Sequence, residues 1–346
     1  MSVLSGVSEF FGLDIGTSAV RLVELHNAGK SKALVKYAYV PLEQNISQSE
    51  SAADHQKLAR AIKDLVEQAK VTTRNVAVGL PSQRVFTTVF DIDRLAPGEI
   101  AQTIKYQADS LIPTPIEESK IDWAVLGDSP KDKDKVEVLL TSVTNDFIEA
   151  RLDMLESIGL NVIAFEPDHM ALSRAVIAFD TAAPQMVVDI GDRATDIVVS
   201  MAGVPRLARS IPTGSEAIIR AAVQNLNIDD KQAQQFVNKF GLAKDKLEGQ
   251  IYNAIVSTVD ILVTEIDKSI KFFQARYPEA KIERIIMTGG ASALPEFPLY
   301  VANKFGLNVE IGNAWRNVSF PADRQAELLA ASNHFGVAAG LAERDA

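Results

Sequence analysis

One short pattern is written twice in this chain, and it limits the available folds more than any other feature of the sequence. Near the N-terminus, FFGLDIGTSAVRLVEL (Phe10–Leu25) reads as a buried strand over Phe11–Ile15, a sharp turn over Gly16, Thr17 and Ser18, and a second strand over Val20–Leu25. In the second half, DIGDRATDIVV aligns on DIGTSAVRLVE without a gap: Asp14 with Asp189, Gly16 with Gly191, Ala19 with Ala194, Leu22 with Ile197 and Val23 with Val198. Alone, an apolar run ending in Asp and a glycine turn describes many ordinary hairpins. Two copies at matched positions, far apart in the chain, predict two lobes of one design. Turn amides and hydroxyls cradle phosphate oxygens, and a carboxylate faces the metal that rides on them. Mg²⁺ keeps most of its waters and takes one or two carboxylates, so acids arriving from two sides suit a polyphosphate held between the lobes.

Composition narrows the classes. At 346 residues the chain exceeds one ordinary core, which agrees with two lobes. A net charge of −10 argues against nucleic acid, which requires a basic face. With no cysteine there is neither a disulfide framework nor a thiolate metal site, as fits a reducing cytosol. No apolar run approaches the roughly 18 residues of a membrane span, and the N-terminus lacks a basic region followed by an apolar signal core. A soluble protein is expected, with no direct membrane insertion.

Along the chain, residues 1–9 read as a loose end. A third strand follows over Ala33–Val40, then a polar linker (Asn45–Asp54), an amphipathic helix (His55–Lys70) and a strand (Asn75–Leu80). Residues 82 to about 165 read as an inserted α/β unit. It has strands over Val85–Ile92, Ile121–Leu126 and Val136–Val143, and helices over Gly98–Leu111 and Phe147–Ile158. The strand Val162–Phe165 then leads into Glu166-Pro167 and a helix to about Phe179. After the second hairpin come a helix with Ser215 as its N-cap, a short helix over Ala233–Phe240, and the longest helix, Leu247–Arg276. A buried strand (Arg284–Thr288), a Gly289-Gly290 turn, a helix over Glu296–Phe305 and a last helix over Asp323–Ala342 close the chain.

Three motifs carry chemistry. Asp14 and Asp189 are the candidate metal-facing acids, and Gly16, Thr17, Ser18, Gly191, Asp192 and Arg193 line the two phosphate turns. The strand-Gly-Gly-helix unit IIMTGGASALPEF lets a flat ring or ribose lie against bare backbone at Gly289 and Gly290. Glu166, at the entry to a helix linking the lobes, is a candidate for orienting an attacking water; it reads equally well as an acid complementing the helix dipole. The four histidines show no metal-ligand spacing, and neither a P-loop nor a dinucleotide fingerprint is present.

Two DIG turns, a linking EP helix and a terminal strand-GG-helix, in this order, resemble the actin-like ATPase superfamily. Within it the segments VAVGLPS, YQADSLIPTPIEES, IDWAVL, AFEPDHMALSRA, IPTGSEAI, AQQFVNKFGL and FGVAAGLA resemble the PilM family of type IV pilus assembly over nearly the whole chain. The YQADSLIPTPIEES stretch is the most specific, because it belongs to that family's inserted subdomain.

The resemblance implies an α/β, actin-like ATPase fold of two duplicated ribonuclease-H-like lobes with a small inserted α/β subdomain. The first lobe comprises residues 1–81, 162–183 and 323–346, the insert 82–161, and the second lobe 184–322, with an adenosine-side helical subdomain at 214–280. ATP and Mg²⁺ are expected in the cleft, with at most slow hydrolysis. Carried over by motif, Asp14 and Asp189 face the metal, and Glu166 with Asp189 serve catalysis. Gly16, Thr17, Ser18, Gly191, Asp192, Arg193 and Thr195 belong to the phosphate turns, and Gly214, Ser215, Gln234, Gly289, Gly290, Ala291 and Ser292 to the adenosine side.

Some positions depart from the family pattern. Ser215 stands where a second Gly is usual, Gln234, Gln235 and Val237 where Glu, Glu and Lys are common, and Arg193 where small residues are frequent. The implied partner is the cytoplasmic N-terminal tail of a PilN-like inner-membrane protein, bound by the insert. Coupling to the pilus motor ATPase and self-association into a ring or filament are further expectations, with a cytoplasmic location at the inner membrane. The same fold serves sugar-type kinases and FtsA-like division proteins. No catalytic base for a kinase stands out, and the sequence ends at GLAERDA without an FtsA-like amphipathic tail.

Overall fold

In the computed structural model of the chain, residues 9–28, 31–43 and 45–344 are described. The loose end expected over residues 1–9 lies outside them but for Glu9. The first lobe opens with an antiparallel meander of β1 (Phe11–Ile15), β2 (Ala19–Ala28) and β3 (Ser31–Pro41). Helix α1 (Ala52–Gln68) then returns the chain to β4 (Asn75–Leu80), parallel to β1. All five residues of β1 are buried, because helices cover both faces of this sheet. On one face α1 buries Leu58, Ile62, Leu65 and Val66 at helical spacing, each contributing roughly 1.5–3 kcal/mol. It starts earlier than its apolar pattern suggested, because the Ser51 hydroxyl caps it, accepting from the Asp54 amide at 3.1 Å.

The insert follows: β5 (Phe86–Asp93), α2 (Pro97–Leu111), β6 (Ser119–Asp128), β7 (Lys135–Thr144) and α3 (Asn145–Ser157). Its three strands form an antiparallel sheet ordered β5-β7-β6. Helix α2 covers one face with Ile104, Ala108 and Ile112 against Ile92, Val136, Val138 and Leu140. Helix α3 sends Met154 and Leu155 back into the core of the first lobe. The chain then re-enters the first sheet as β8 (Asn161–Pro167), parallel to β4, and continues as α4 (Asp168–Val176).

The second lobe repeats the plan. A meander of β9 (Gln185–Ile190), β10 (Thr195–Met201) and β11 (Val204–Ile211) is followed by α5 (Ser215–Leu226), α6 (Asp230–Phe240) and α7 (Gln250–Arg276). Next come β12 (Arg284–Thr288), α8 (Phe297–Phe305), β13 (Asn308–Ile311), the short β14 (Val318–Ser319) and α9 (Gln325–Ala342). The order β11-β10-β9-β12-β13 matches β3-β2-β1-β4-β8 of the first sheet, so the repeated hairpin begins two copies of one sheet. β14 leaves the second lobe and adds to the edge of the first sheet beside β3.

Helices α4 and α9 lie packed together between the two sheets. Their Leu172, Ala175, Val176, Phe335, Ala338 and Ala339 share one cluster with Val23 of the first sheet and Val187, Val198 and Ile286 of the second. The helices cross so closely that a Cβ on Gly340 would lie 1.7 Å from the Ala171 carbonyl oxygen. Only glycine fits that crossing.

The insert, although covalently part of the first lobe, is clamped to the second. Glu137 of β7 is 2% exposed. It accepts from Arg206 Nη1 at 3.3 Å, Arg276 Nε at 2.8 Å and the Tyr277 hydroxyl at 2.7 Å, while Arg276 Nη2 also donates to Asp91 at 2.7 Å. Truncating this carboxylate would strand the two buried guanidinium groups that pair with it. Glu137→Ala is expected to lower stability by about 3–5 kcal/mol in urea unfolding, whereas Asp128→Ala, removing an exposed pair with Arg94, should change it by no more than about 1 kcal/mol.

Candidate functional site

The sequence repeat is also a repeat of geometry. β1 and β9 each end in Asp-Ile and meet a glycine whose amide closes the hairpin: Gly16 N–H donates to Ala19 O at 3.0 Å, and Gly191 N–H to Ala194 O at 2.9 Å. Asp14 and Asp189 therefore stand at equivalent strand ends, and both line one cleft of about 1330 Å³ between the lobes. Gly16, Thr17, Ser18, Gly191, Asp192 and Arg193 line it as well. A second cavity of about 880 Å³ shares Thr17, Ser18, Asp192, Arg193, Gly290 and His334 with it and runs on over Ser215, Gln234 and Ala291. The two turns thus sit where the cavities join.

Several expected site residues build the walls without facing the space. The Thr195 hydroxyl donates to Thr213 O at 2.7 Å, and Ser292 Oγ to Gly289 O at 2.8 Å; both residues are buried and hold their loops in shape. Gly214 backs the second turn: a Cβ there would lie 2.4 Å from Gly191 O, and the amides of Ser215 and Glu216 reach the Gly191 and Asp192 carbonyls at 2.9 Å. Gly289 lines the cleft at φ +81, where a Cβ would meet Ile190 O at 2.3 Å. Ser215 is not the N-cap of α5. Gly214 holds that position, and the Ser215 hydroxyl instead donates to Asp192 Oδ1 at 3.3 Å.

Glu166 requires a larger correction. It is buried but not among the residues lining the cleft. Arg174 Nη1 donates to it at 3.1 Å and Arg344 Nη1 at 2.9 Å, and Arg174 Nη2 holds its other oxygen. Held by two guanidiniums and outside the cleft lining, this carboxylate is not placed to orient water in the cleft. Asp168, two residues on at the start of α4, lines the cleft instead. Gly79 of β4 makes room for it, since a Cβ there would lie 2.2 Å from Asp168 Oδ1, and that oxygen has no hydrogen-bond partner.

The electrostatics separate the lobes. In the first hairpin the residue paired across the strands with Asp14 is Arg21, whose Nη1 donates at 3.4 Å. Burial nevertheless outweighs Arg21 and raises the Asp14 pKa. In the second hairpin the residue opposite Asp189 is another acid, Asp196. Burial first, and then Asp196, push Asp189 up to about 7, although Thr288 Oγ1 donates to it at 2.8 Å. Asp168 is raised by burial and by repulsion from Asp14, Asp196 and Asp189, and Asp196 is raised by burial. Among the described residues no three acidic or histidine groups converge closely enough to ligate one ion directly. Four crowded carboxylates, one with an orphan oxygen, fit a divalent cation that reaches them largely through its own waters. Sequence reading missed Asp168 and Asp196. The signal for Asp196 was the repeat alignment itself, which makes it the equivalent of Arg21.

Two long side chains also face this space. Arg193 spans from the second turn to the first lobe, donating to Gln48 Oε1 at 2.7 Å and to Glu216 Oε1 at 3.3 Å. His334 lines both cavities. His169 is a packing residue, buried and held neutral by desolvation with a pKa of about 4.

Because the folded-state pKa of Asp189 lies above its ordinary 3.8, folding favours its protonated form. Its contribution to stability is full below about pH 4 and is lost as the pH rises through about 7. Without ligand, Asp189→Asn should therefore melt roughly 2–4 °C above wild type at pH 8, with the gap closing at pH 5, as followed by circular dichroism.

The whole chain can be set beside known proteins. The family described as "Type IV pilus assembly protein PilM" matches residues 12–346. Among solved structures, the "PilM-PilN type IV pilus biogenesis complex" superposes with a TM-score of 0.82 at 25% identity, covering 96% of this chain and 97% of that one. The ethanolamine utilization protein EutJ from Carboxydothermus hydrogenoformans gives 0.56 at 15% identity, over 96% of this chain and 89% of that one. MreB5 of Spiroplasma citri bound to ADP gives 0.54 at 14%, over 96% and 95%. The latter two share the fold alone, and it is the actin-like ATPase fold with its duplicated lobes. With the family matched from the first strand to the C-terminus, the chain belongs to the PilM family of type IV pilus assembly proteins.

Proposed function

We propose that the protein is a nucleotide-gated scaffold of the pilus assembly machinery, binding ATP·Mg²⁺ between its lobes and a PilN-like tail beside its insert. The observation carrying this reading is the junction of the two cavities at the paired turns, with acids of both lobes in the larger one. The purine and ribose fit the smaller cavity over Ser215, Gln234, Gly290 and Ala291. Thr17, Ser18 and the backbone of both turns then meet the phosphates, with Arg21 and Arg193 as nearby cations. Asp14 and Asp189 would hold Mg²⁺, with Asp168 behind them through water; the cation, when bound, neutralises phosphate charge. The MreB structures with ADP and AMPPNP support a nucleotide on this fold. With Glu166 tied up by arginines, binding rather than rapid turnover is the role this chain's residues favour.

The larger cavity does not stop at the phosphate turns. It continues between the first lobe and the insert, along Ser47–Glu50, Arg84, Asn145, Asp146, Phe147, Ala150 and Arg151. A groove of this kind suits an extended peptide, and the solved PilM-PilN complex supports a PilN-like tail as its occupant. Among the described residues no helix is long and apolar enough to cross a membrane. Attachment to the cytoplasmic face of the inner membrane would thus come through that partner, and coupling to the motor or self-association would build on it. Nucleotide shifts tail affinity only as far as it prefers one arrangement of the lobes.

Calorimetry with ATP·Mg²⁺ and with the tail peptide tests the reading. Wild type should bind both, Asp14→Ala and Asp189→Ala should each weaken ATP by about tenfold or more, and saturating ATP should change tail affinity in wild type alone. Equal ATP binding by all three proteins would remove the cleft from the account.

A further inference from the structure

Ser82 follows β4 and opens a single helical turn, Ser82–Arg84, that backbone alone closes: Arg84 N–H donates to Pro81 O at 2.8 Å. Its side chain is left for other work, and the half-buried residue lines the larger cavity. The hydroxyl bonds to His169 Nδ1 of α4 at 3.3 Å. Nε2 of that imidazole is buried without a partner, so the ring's one hydrogen bond among the described residues goes to this serine. Toward the second lobe, the Ser82 hydroxyl lies close enough to Asp196 to oppose the rise that burial gives that acid's pKa; Ser210 also donates to Asp196.

A hydroxyl has one proton to give. Between a carboxylate and an imidazole the carboxylate is the stronger acceptor, which leaves His169 Nδ1–H as a donor to the serine oxygen. Phosphoryl-transfer sites hold an accepting alcohol in this way, with its proton facing an aspartate and its oxygen fixed by a further group. The place is right as well. Asp196 stands directly across the β9–β10 pairing from Asp189, and opposed residues project from one face of a sheet. Ser82, Asp168 and Asp196 line the larger cavity and not the smaller, whereas Gln234 and Ala291 line only the smaller. With the base of a nucleotide over Gln234 and Ala291, the phosphate chain runs toward Ser82 and its terminal group comes nearest. Ser49, another hydroxyl of the cleft, donates instead to Asp54, which does not line it. Thr17 and Ser18 belong to the first phosphate turn. Because Glu166 is held away by Arg174 and Arg344, a fixed protein hydroxyl faces little competition from an oriented water.

We propose that Ser82 is a phosphorylation site served by the cleft itself, taking the terminal phosphoryl group of the ATP bound there. The bond from Ser82 Oγ to the γ-phosphorus forms as the bond from that phosphorus to the β,γ-bridging oxygen breaks. ADP leaves with the bridging electron pair, the serine proton passes to Asp196, and nothing is oxidised or reduced. His169 is a positioning residue that holds the attacking oxygen. This inference rests on the reading of the cleft as an ATP site.

The test incubates the whole chain with Mg²⁺ and ATP labelled with ³²P at its terminal phosphate, and maps the product by tandem mass spectrometry. Wild type should gain a single phosphoryl group per chain, on Ser82, with a rate constant independent of protein concentration. Ser82→Ala should lose the label while still binding ATP in calorimetry, and Asp196→Asn should label about a hundredfold more slowly. His169→Ala should also slow labelling, and His169→Asn, which keeps an N–H donor near Nδ1, should restore most of the rate. Mapping the wild type requires no variant, so the test survives a variant that folds poorly. Bound ATP without label on Ser82, or label confined to another residue, overturns the inference and leaves the ATP site standing. A rate constant that rises with protein concentration overturns it too, because the acceptor would then enter another copy's cleft. If wild type binds no ATP, the reading of the cleft and this inference fall together.

Discussion

The structure turns on a pair of cross-strand contacts that its duplication made unequal. In the first lobe the strand-end acid Asp14 faces Arg21; in the second Asp189 faces Asp196. A β-hairpin normally avoids like charges directly opposite one another. Here the repulsion is kept, at the mouth of a cleft, and it is joined by Asp168 from a third element. Those acids are held by rigid pieces: strand ends closed by glycine turns, and a helix start that fits only because residue 79 has no side chain. The cleft is therefore preorganised for positive charge that the protein itself supplies only in part, through Arg21 and Arg193.

That cleft stays a cleft because two other contacts fix the lobes around it. On one side α4 and α9 cross between the sheets, with Gly340 against the Ala171 carbonyl and apolar residues of both sheets in one cluster. On the other, the insert leaves the first lobe and anchors on the second through Glu137. If nucleotide changes the lobe angle, as the proposed function requires, the movement would pull on that anchor and reshape the groove between first lobe and insert.

Much of this was legible in the sequence. The gapless alignment of DIGTSAVRLVE on DIGDRATDIVV gave the duplicated lobes, and apolar periodicity gave α1, α2, α3 and α7 within a few residues. What it could not show were features set by three-dimensional juxtaposition. Asp168 and Glu166 are two residues apart, and nothing local says that the first reaches the cleft while the second is captured by Arg174 and Arg344. Strand β14 is two residues long and pairs with a segment from the other end of the chain, so it left no periodic trace. β11 and β13, though longer, were not anticipated from the sequence either. Ser215 looked like a cap because its residue type favours one, but the close approach of the second turn requires Gly214 there instead.

The account's central claim is that acids of both lobes jointly serve one cation carried by a nucleotide. The most direct measurement is a crystal structure of the chain with Mn²⁺ and AMPPNP, using the anomalous signal to place the metal. The account predicts one Mn²⁺ between the two glycine turns, within water-bridged reach of Asp14, Asp168 and Asp189, with the adenine over Gln234 and Ala291. A nucleotide bound with its metal away from these acids, or a cleft that stays empty at saturating nucleotide, would contradict it.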